Sequence, residues 1–449
     1  MKSSHNQTPR HAREDGQVLM LFLLFSIVLI LFVGLGIDLG FAYITKAQLS
    51  KALDAASLAA VSNYSGADNG KAANVIAQNT FWANYATNGV SGRGIGKVTP
   101  VGTFARDANG NLIYTNTASA TINTFFIGLL PQWRTLTVGD TAVSTRYRVV
   151  MSLVLDRSGS MSPSCGGVCN GCSDGGAYLP PAVSQFISIF DETLDQAALV
   201  TFASSASNDV VMTHQFKTGN PNINGAVARI NTPANNLWSG GTCSIAGLTN
   251  ALIINNSVIA PTSVKVVVFF TDGLADMSQG VFNGNALNFG RWLPPPPGCP
   301  TPLTEFYLTN APETYAGQST TTACTDTPGK PATCTAPGVS LTGVTQFTSS
   351  VDKKLHNFDF LDITADATNR CVLIADQMRA ASNYVYAVGL NTTTIGAPTI
   401  ELLQEIANDP GSGRFDNTQP VGAAFISNGT DLTEVFQQVA ADIILRLVQ

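Results

Sequence analysis

The strongest pattern along the chain is an uncharged apolar run near the N-terminus, from Val18 to Ile37. Its length of about 20 residues is what a helix needs to cross a bilayer. The run is too long for the apolar region of a signal peptide, and no small-x-small cleavage site follows it. It therefore predicts a single-pass transmembrane anchor over residues 17–40. Residues 41–64 contain neither Gly nor Pro, so we expect the same helix to continue past the membrane.

Small and apolar residues recur at helical spacing in this continuation. They are Leu49, Leu53, Ala56 and Ala60. Such a narrow stripe permits close packing between helices. It is equally compatible with docking on the chain's own domain, and the pattern leaves both alternatives open.

The next stretch mixes one helix with strands. Residues 70–86 read as a second helix, which completes a helical stalk over 41–96. A hairpin is expected to follow, with its turn at Asp107 to Asn111, and two more strands are expected around Gly139-Asp140. We interpret residues 97–147 as a small β region that links the membrane segment to the main domain, and it contains no candidate chemistry.

Beyond residue 148, short apolar runs alternate with helical patterns. The strand candidates are RVVMSLVLD, QAALVTFAS, SVKVVVFFTDG and NYVYAVGL, and the helical stretches lie near 178–193, 243–256, 363–382, 398–408 and 430–447. This alternation predicts an α/β fold with a doubly wound, mostly parallel sheet over residues 148–449. Two of the strands end on Asp156 and Asp272. Both residues would lie at the carboxyl ends of the strands, where such folds place their ligand sites.

Composition narrows the class of protein. Charged residues make up only 12% of the chain, well below the roughly 25% of an average soluble protein. The net charge of −6 and the isoelectric point near 5.2 argue against nucleic acid as a partner. The eight cysteines begin only at Cys165, and their even number fits an oxidising compartment. Lys2, Arg10 and Arg13 precede the apolar run, so the positive-inside rule leaves residues 1–16 in the cytoplasm and the bulk of the chain outside.

The N-terminal segment resembles TadG-like and TadE-like pilus-assembly proteins. The features that carry the resemblance are the Gly16-Gln17 entry, the Asp38 that closes the apolar run, and the sequence LSKALDAASLAA with Asp54. It implies a bacterial inner-membrane protein whose main part is periplasmic or extracellular. Pilin-type processing usually places a glutamate five residues after the cleavage glycine, and Leu21 stands there instead. We therefore expect the anchor to be retained uncleaved.

Three oxygen-bearing residues end the first central strand: Asp156, Ser158 and Ser160, in the sequence VLDRSGSM. A serine hydrolase would need a histidine base, yet the chain has four histidines and two of them are predicted to be cytoplasmic. The segment lacks a Gly-x-Ser-x-Gly elbow, and the chain lacks a P-loop. An aspartyl-phosphate phosphatase would need a second carboxylate at position 158. What remains is a cation site built from hydroxyls and carboxylates.

Mg²⁺ suits this set of donors, because it takes six hard oxygens and retains waters readily. Ser158 and Ser160 would coordinate it directly and Asp156 would hold a water. Thr242, in WSGGTCSIAGL, and Asp272 would complete the set. The constellation resembles the metal-ion-dependent adhesion site (MIDAS) of von Willebrand factor A-type (vWA) domains, which also bind Mn²⁺ or Ca²⁺. The alternative is a serine-rich loop that merely caps a helix.

Such a site favours binding over turnover. A metal held largely by neutral hydroxyls stays electrophilic and keeps one position open, which an acidic side chain of a partner protein can fill. No general base stands ready beside it, so we expect no enzymatic activity. The vWA resemblance, which spans most of residues 148–449, likewise implies adhesion or assembly.

Two insertions interrupt the resemblance, at 162–177 and 277–360, and both are expected on the metal face. Cys165, Cys169 and Cys172 in the first insertion, with Cys243, form either disulfides or a zinc site; disulfides suit the compartment better. The second insertion shows no hydrophobic period and predicts a long loop. The cysteines expected to staple it are Cys299, Cys324, Cys334 and Cys371.

Three functional hypotheses follow. The first is a membrane-anchored factor of pilus assembly or surface adhesion, bound to pilus or secretion-system components. The second is a pilus subunit or tip adhesin within the filament, which the missing glutamate after Gly16 disfavours. The third is a metal-dependent hydrolase, which the scarcity of histidines disfavours.

Overall fold

A computed structural model of the chain describes residues 15–85, 98–162, 175–230, 238, 240–291, 304–309, 315–319, 341, 344–390 and 399–448. The chain divides into two compact units. They are Met1–Ala105 with Ile113–Ser144, and Arg106–Leu112 with Thr145–Gln449.

The first unit begins with two helices, α1 (Asp15–Ser62) and α2 (Lys71–Asn84). Within the part of the chain that the structure describes, α1 is the one helix that is long and apolar enough to cross a membrane. Its second half packs on α2, which buries Ala73, Ala77 and Phe81 in the contact. The small-residue stripe of α1 is fully buried there, so in this structure it docks on the chain's own helix. The buried residues are Leu49, Leu53, Ala56 and Ala60.

A three-stranded sheet completes the first unit, in the order β1-β2-β3. Its strands are β1 (Val101–Arg106), β2 (Leu112–Asn123) and β3 (Thr135–Arg146). The predicted turn between β1 and β2 is present. The Asp107 carboxylate accepts hydrogen bonds from the N–H groups of Asn109 (2.9 Å) and Asn111 (2.8 Å) and so holds the turn closed.

The prediction of two strands around Gly139-Asp140 is wrong. β3 runs through both residues without a break, and the hydroxyls of Thr141 and Thr137, on either side of them, lie 3.2 Å from those of Thr117 and Thr121 on β2. Glycine and aspartate suggest a turn in isolation. Pairing along a long neighbouring strand overrides that local preference.

The second unit is built on the strands β4 to β15 and the helices α3 to α8. The strands are β4 (Val149–Asp156), β5 (Gln196–Phe202), β6 (Ala206–Thr213), β7 (Val264–Thr271), β8 (Met277–Phe282), β9 (Asn285–Arg291), β10 (Thr304–Leu308), β11 (Tyr315–Ser319), β12 (Gln346–Thr348), β13 (Leu355–Asn357), β14 (Asn383–Leu390) and β15 (Ala423–Ser427). The helices are α3 (Gly175–Ser188), α4 (Ile223–Ile230), α5 (Ser244–Ser257), α6 (Phe360–Ala380), α7 (Ile400–Ala407) and α8 (Leu432–Leu447).

The central sheet has six strands in the order β15-β14-β7-β4-β5-β6. All neighbours are parallel except β5 and β6, which are antiparallel. The predicted α/β architecture is confirmed, and the sheet is mixed. Its edge strand β6 follows β5 after only three residues, 203–205, a connection too short for a parallel crossover.

Alternate residues of the central strands face two separate buried clusters. Met151, Leu153 and Leu155 of β4 contact the cluster that includes α3, α4 and α8. Val154, between them, belongs to the cluster that includes α5, α6 and α7. Both faces of the sheet are therefore covered, which explains why its strands are continuously apolar in sequence.

The sequence of the second insertion predicted a long loop, and this prediction is wrong in part. Four of its strands form an antiparallel sheet in the order β11-β10-β9-β8, with a core of aromatic side chains. Phe289 lies 5.0–6.3 Å, between ring centroids, from Phe306, Phe347 and Phe358. These phenylalanines are too far apart in the chain to produce a hydrophobic period.

Candidate metal site

The candidate site lies where two adjacent parallel strands end. Leu155 of β4 is paired with Phe270 of β7. Asp156 is the last residue of β4, and Asp272 directly follows β7. The carboxyl ends of parallel neighbours meet at one edge of the sheet, so the two aspartates lie on the same edge.

The loop after β4 joins the predicted residues by hydrogen bonds. The N–H of Ser158 donates to Oδ1 of Asp156 (2.7 Å). The hydroxyl oxygens of Ser158 and Ser160 are 3.0 Å apart, and the Ser160 hydroxyl donates to Oδ1 of Asp272 (2.8 Å). Four of the five predicted site residues are thus connected directly.

Asp156 is the most enclosed of these residues, with no exposed surface. Burial raises the pKa of its carboxyl group, because the charged form is taken out of water. Hydrogen bonds from the Ser158 N–H and from the Thr271 hydroxyl (2.6 Å to Oδ2) act in the opposite direction. A buried carboxylate with a raised pKa would be stabilised by a nearby cation.

The fifth residue, Thr242, is positioned through the backbone of its loop. Its N–H donates to Oδ1 of Asp276 (2.6 Å). The N–H of Gly241 donates to the Ser204 hydroxyl (3.0 Å), and the carbonyl of Gly240 accepts from the N–H of Gly159 (3.1 Å). This last bond ties the Thr242 loop to the loop that carries Ser158 and Ser160.

Asp276 brings a third carboxylate to the same edge of the sheet. Burial of its carboxylate raises the pKa of Asp276 to about 7, and the negative charge of Asp156 adds to the rise. The hydrogen bond from the Thr242 N–H opposes both effects. A cation beside Asp156 and Asp276 would favour the charged forms of both carboxyl groups and so oppose these shifts.

The donors at this site fit a hard divalent cation. Three hydroxyls, from Ser158, Ser160 and Thr242, and the carboxylates of Asp156 and Asp272 are all oxygen ligands of the type Mg²⁺ prefers. Among the described residues there is no group of three or more His, Cys, Asp or Glu side chains that could hold a metal ion, so a cation here would depend on the hydroxyls as well as on Asp156 and Asp272. A set made up of oxygen donors would suit Mg²⁺, Mn²⁺ or Ca²⁺, which prefer oxygen ligands.

Sequence analysis missed two supporting residues, Thr271 and Asp276. Thr271 fixes the second oxygen of Asp156, and Asp276 fixes the backbone of Thr242. Both stand in the sequence FFTDGLAD, within four positions of Asp272. The signal that could have identified them is a hydroxyl and a second carboxylate close in sequence to an aspartate at the end of a strand.

The described histidines are engaged elsewhere. Nδ1 of His214 lies 2.8 Å from the carbonyl oxygen of Asp195, and the ring of His356 is bound between Asp352 and Asp362 (3.1 Å to each). His5 and His11 lie outside the described residues. None of the described histidine contacts involves the five site residues.

The cysteine predictions are corrected in part. Cys243 and Cys371 are both buried in the cluster under α5 and α6, and each carries a thiol. Cys371 therefore does not staple the second insertion, because its position on α6 points it into the core. The structure places no disulfide among the residues it describes. The remaining cysteines, Cys165, Cys169, Cys172, Cys299, Cys324 and Cys334, lie outside those residues.

Comparison with known families identifies the N-terminal segment. Residues 16–67 match the family described as "Putative Flp pilus-assembly TadE/G-like". The segment is TadE/G-like. The match covers nearly all of α1 and the residues just after it, as the sequence resemblance predicted, and it includes the apolar helix that is long enough to cross a membrane. The full chain matches no curated protein.

Several solved structures have partial similarity to this chain. The PilB minor pilin from Streptococcus sanguinis is 13% identical over 78% of this chain and 79% of its own, with a TM-score of 0.39. The vWF domain of the type V pili tip protein Mfa5 from Porphyromonas gingivalis is 13% identical over 67% of this chain and 97% of its own, with a TM-score of 0.35. Proximal thread matrix protein 1 from the mussel byssus, with a zinc-occupied MIDAS motif, is 14% identical over 68% of this chain and 46% of its own, with a TM-score of 0.34.

Proposed function

We propose that this chain is a membrane-anchored, extracytoplasmic protein of Flp/Tad-type pilus assembly or surface adhesion. Its α/β unit would be a doubly wound vWA-type domain that binds a partner protein through a divalent cation. One observation carries the proposal: the hydrogen-bonded array of Ser158, Ser160 and Asp272 above the buried Asp156. The TadE/G-like match at residues 16–67 supports the pilus context.

Each site residue has a distinct part in this proposal. Ser158, Ser160 and Thr242 would hold the cation through their hydroxyls. Asp272 would add a negative charge next to the cation, and the buried Asp156 would hold a water molecule that is itself a ligand of the cation. When bound, Mg²⁺ would supply an electrophilic centre that attracts an anionic oxygen.

The same donor set accounts for partner selection. Because three of the five donors are neutral hydroxyls, the cation would keep most of its positive charge. An aspartate or glutamate side chain of a pilus or secretion-system component could then complete its coordination. The hydrogen bonds that hold Thr242 and Ser160 in place would pre-organise the site, which reduces the entropy lost on binding.

The arrangement along the chain follows from this function. Residues 1–16 would lie in the cytoplasm and 17–40 in the inner membrane. Residues 41–96 would form the stalk and 97–147 the small β region, and the partner-binding domain would occupy 148–449. A reporter fused after Gln449 that requires export should be active, and a reporter that works only in the cytoplasm should be silent. The reverse pattern would contradict this topology.

Two other hypotheses are less well supported. For a subunit or tip adhesin within the filament, the helical stripe of α1 should be available to neighbouring helices, and in this structure it is buried against α2. For a metal-dependent hydrolase, a base should lie near the cation, and the described histidines contact other residues. We therefore propose a binding protein without enzymatic activity.

Complementation provides the direct test. A strain that lacks this protein should lose its pili or its adhesion, and the wild-type chain should restore them. The Asp156→Ala chain should not, although immunoblots show equal amounts in the membrane. Glu401→Gln, which removes an exposed carboxylate from α7, is the matched control and should complement fully. Full complementation by Asp156→Ala would mean that the pilus function does not use this site.

A further inference from the structure

The connection between β2 and β3 exposes several large apolar side chains. It contains two short 3-10 turns, Ile127–Leu129 and Pro131–Trp133, and no charged residue from Thr124 to Trp133. The exposed side chains, with their exposed fractions, are Phe125 (48%), Leu129 (75%), Leu130 (53%) and Trp133 (51%). A contiguous apolar patch of this kind on a surface marks a site of contact with a partner or with a membrane.

This connection is fastened to α1 by a buried aspartate. The carboxylate of Asp38, 2% exposed, accepts three backbone hydrogen bonds. The donors are the N–H groups of Phe125 (2.8 Å to Oδ1), Phe126 (3.0 Å to Oδ2) and Ile127 (2.9 Å to Oδ2). Charge-assisted bonds from three successive N–H groups fix the start of the connection against the helix.

A second contact lies one turn earlier on α1. The side chain of Phe126 packs so closely on Gly34 that any Cβ at that position would collide with it. Only glycine permits this approach. Gly34 lies inside the uncharged run that ends at Ile37, so the connection is attached to the apolar part of the helix and not only to its polar continuation.

The attachment fixes the depth of the patch. At 1.5 Å per residue, Val18 to Ile37 spans about 30 Å, the thickness of a bilayer's hydrocarbon core. Gly34 then lies about 5 Å inside that core and Asp38 at its edge. The exposed apolar side chains of the connection therefore lie at the same level of the bilayer as the lipid-facing side chains at the end of the run in α1. One of these is Ile37, which is 50% exposed.

We propose that residues 125–133 form a second membrane contact, an interfacial loop inserted into the leaflet at the C-terminal end of the anchor. Phe125, Leu129 and Leu130 enter the region between headgroups and acyl chains. Trp133 lies at headgroup level, where tryptophan is enriched in membrane proteins. The exposed Arg134, next in sequence, faces the lipid phosphates.

The loop gives the first unit two attachments to the bilayer. A single helix can rotate and tilt within a membrane, whereas a helix with a rigidly attached interfacial loop has a defined rotational position. The strands β2 and β3 leave directly from the two ends of the loop. The three-stranded sheet is therefore held at the membrane surface in one orientation. This inference does not depend on the metal site.

Tryptophan fluorescence of the full chain tests the proposal. The protein is reconstituted as one copy per nanodisc, in phosphatidylcholine with or without bromine on the acyl chains near the headgroup. The emission of Trp133 is obtained as the difference between wild type and Trp133→Phe. We expect brominated lipid to quench this emission several-fold more strongly than acrylamide does. Quenching by acrylamide alone would overturn the proposal, and protection from both quenchers would show that a protein surface covers the loop instead.

A paired charge variant separates insertion from folding. Leu129→Glu combined with Leu130→Glu should abolish quenching by brominated lipid and make Trp133 accessible to acrylamide. Because both side chains are exposed, the thermal unfolding midpoint should not change. Ile259→Glu, which places a charge on an apolar residue that is 94% exposed in the second unit, should leave Trp133 quenched by lipid. Unchanged quenching in the double variant would contradict insertion of the loop.

Discussion

The hydroxyl of Ser160 donates a hydrogen bond of 2.8 Å to the carboxylate of Asp272, a residue 112 positions further along the chain. Ser160 follows β4 and Asp272 follows β7, so this bond joins the two strand ends that form the candidate site. It also places a hydroxyl and a carboxylate at the separation at which both can contact one cation.

Replacement of Asp272 by Asn should weaken Mg²⁺ and Mn²⁺ binding. The substitution keeps the size of the side chain and removes its negative charge. We expect at least about a tenfold loss of affinity, equivalent to about 1.4 kcal/mol. Calorimetric titration of the detergent-solubilised chain with each metal measures it, and Glu401→Gln is the charge-matched control. Equal affinities for Asp272→Asn and wild type would remove Asp272 from the site.

Thr242 should matter for metal binding more than for stability. Its loop is held by backbone hydrogen bonds, which Thr242→Ala leaves in place. We expect this variant to lose metal affinity while the free energy of unfolding changes by less than about 1 kcal/mol. Thr242→Ser retains the hydroxyl and should bind metal nearly as well as wild type. If the Ser and Ala variants lose affinity equally, the hydroxyl is not a ligand. Calorimetry and urea unfolding supply the two measurements.

A buried ion pair lies in the second unit where β4 and β5 begin. Arg146 donates to both carboxylate oxygens of Asp195 (3.2 and 2.8 Å), and both side chains are almost fully buried. The N–H groups of Val149 and Asp191 donate to the same carboxylate (3.1 and 2.8 Å). Asp195→Ala would leave the Arg146 charge buried without its partner. It should lower the free energy of unfolding by about 3–5 kcal/mol.

Urea unfolding followed by circular dichroism checks this value. Arg229→Ala is the control, because the Arg229 guanidinium is largely exposed and lies 3.7 Å from Asp209, a longer and better solvated pair than Arg146–Asp195. Exposed pairs contribute about 0–1 kcal/mol, so the control should change little. Similar losses in the two variants would mean that burial does not determine the strength of the Arg146–Asp195 pair.

The second insertion should loosen from α6 at acid pH. Asp366 on α6 is buried, which raises the pKa of its carboxyl group, but hydrogen bonds from Ser278, Ser350 and Arg370 outweigh burial and lower that pKa. A carboxyl group whose pKa is lower in the folded state than in the unfolded state stabilises the fold. That stabilisation is fully present when the pH is above the pKa of the unfolded chain, about 3.9. That contribution is lost as the pH falls below about 4 towards the folded pKa.

Asp366→Asn removes the titrating group and should flatten this dependence. Urea midpoints of wild type and variant, measured in EDTA from pH 6 downwards, should differ most at pH 6 and converge below about pH 4. Glu401→Gln serves again as the control and should follow the wild type. A constant difference between Asp366→Asn and wild type at all pH values would contradict the linkage.

Local patterns in the sequence were sufficient to predict the apolar N-terminal helix and the positions at which two central strands end. The uncharged run from Val18 and the continuous apolar strands that end at Asp156 and Asp272 are signals carried by neighbouring residues. Burial on both faces requires an unbroken apolar strand, and parallel strands bring their carboxyl ends to one edge. Hence the α/β architecture and the approach of Ser160 to Asp272 could be predicted without coordinates.

Tertiary packing alone decided the remaining features. Gly139 and Asp140 favour a turn locally, but cross-strand pairing with β2 keeps them in a strand. Phe289 and Phe306 come into contact only when the strands of the second insertion pair, and no hydrophobic periodicity in the local sequence predicts this contact. The bond between Asp38 and Phe125 joins residues 87 positions apart. Contacts of this kind are selected by the free energy of the whole packed structure, which short-range sequence patterns do not contain.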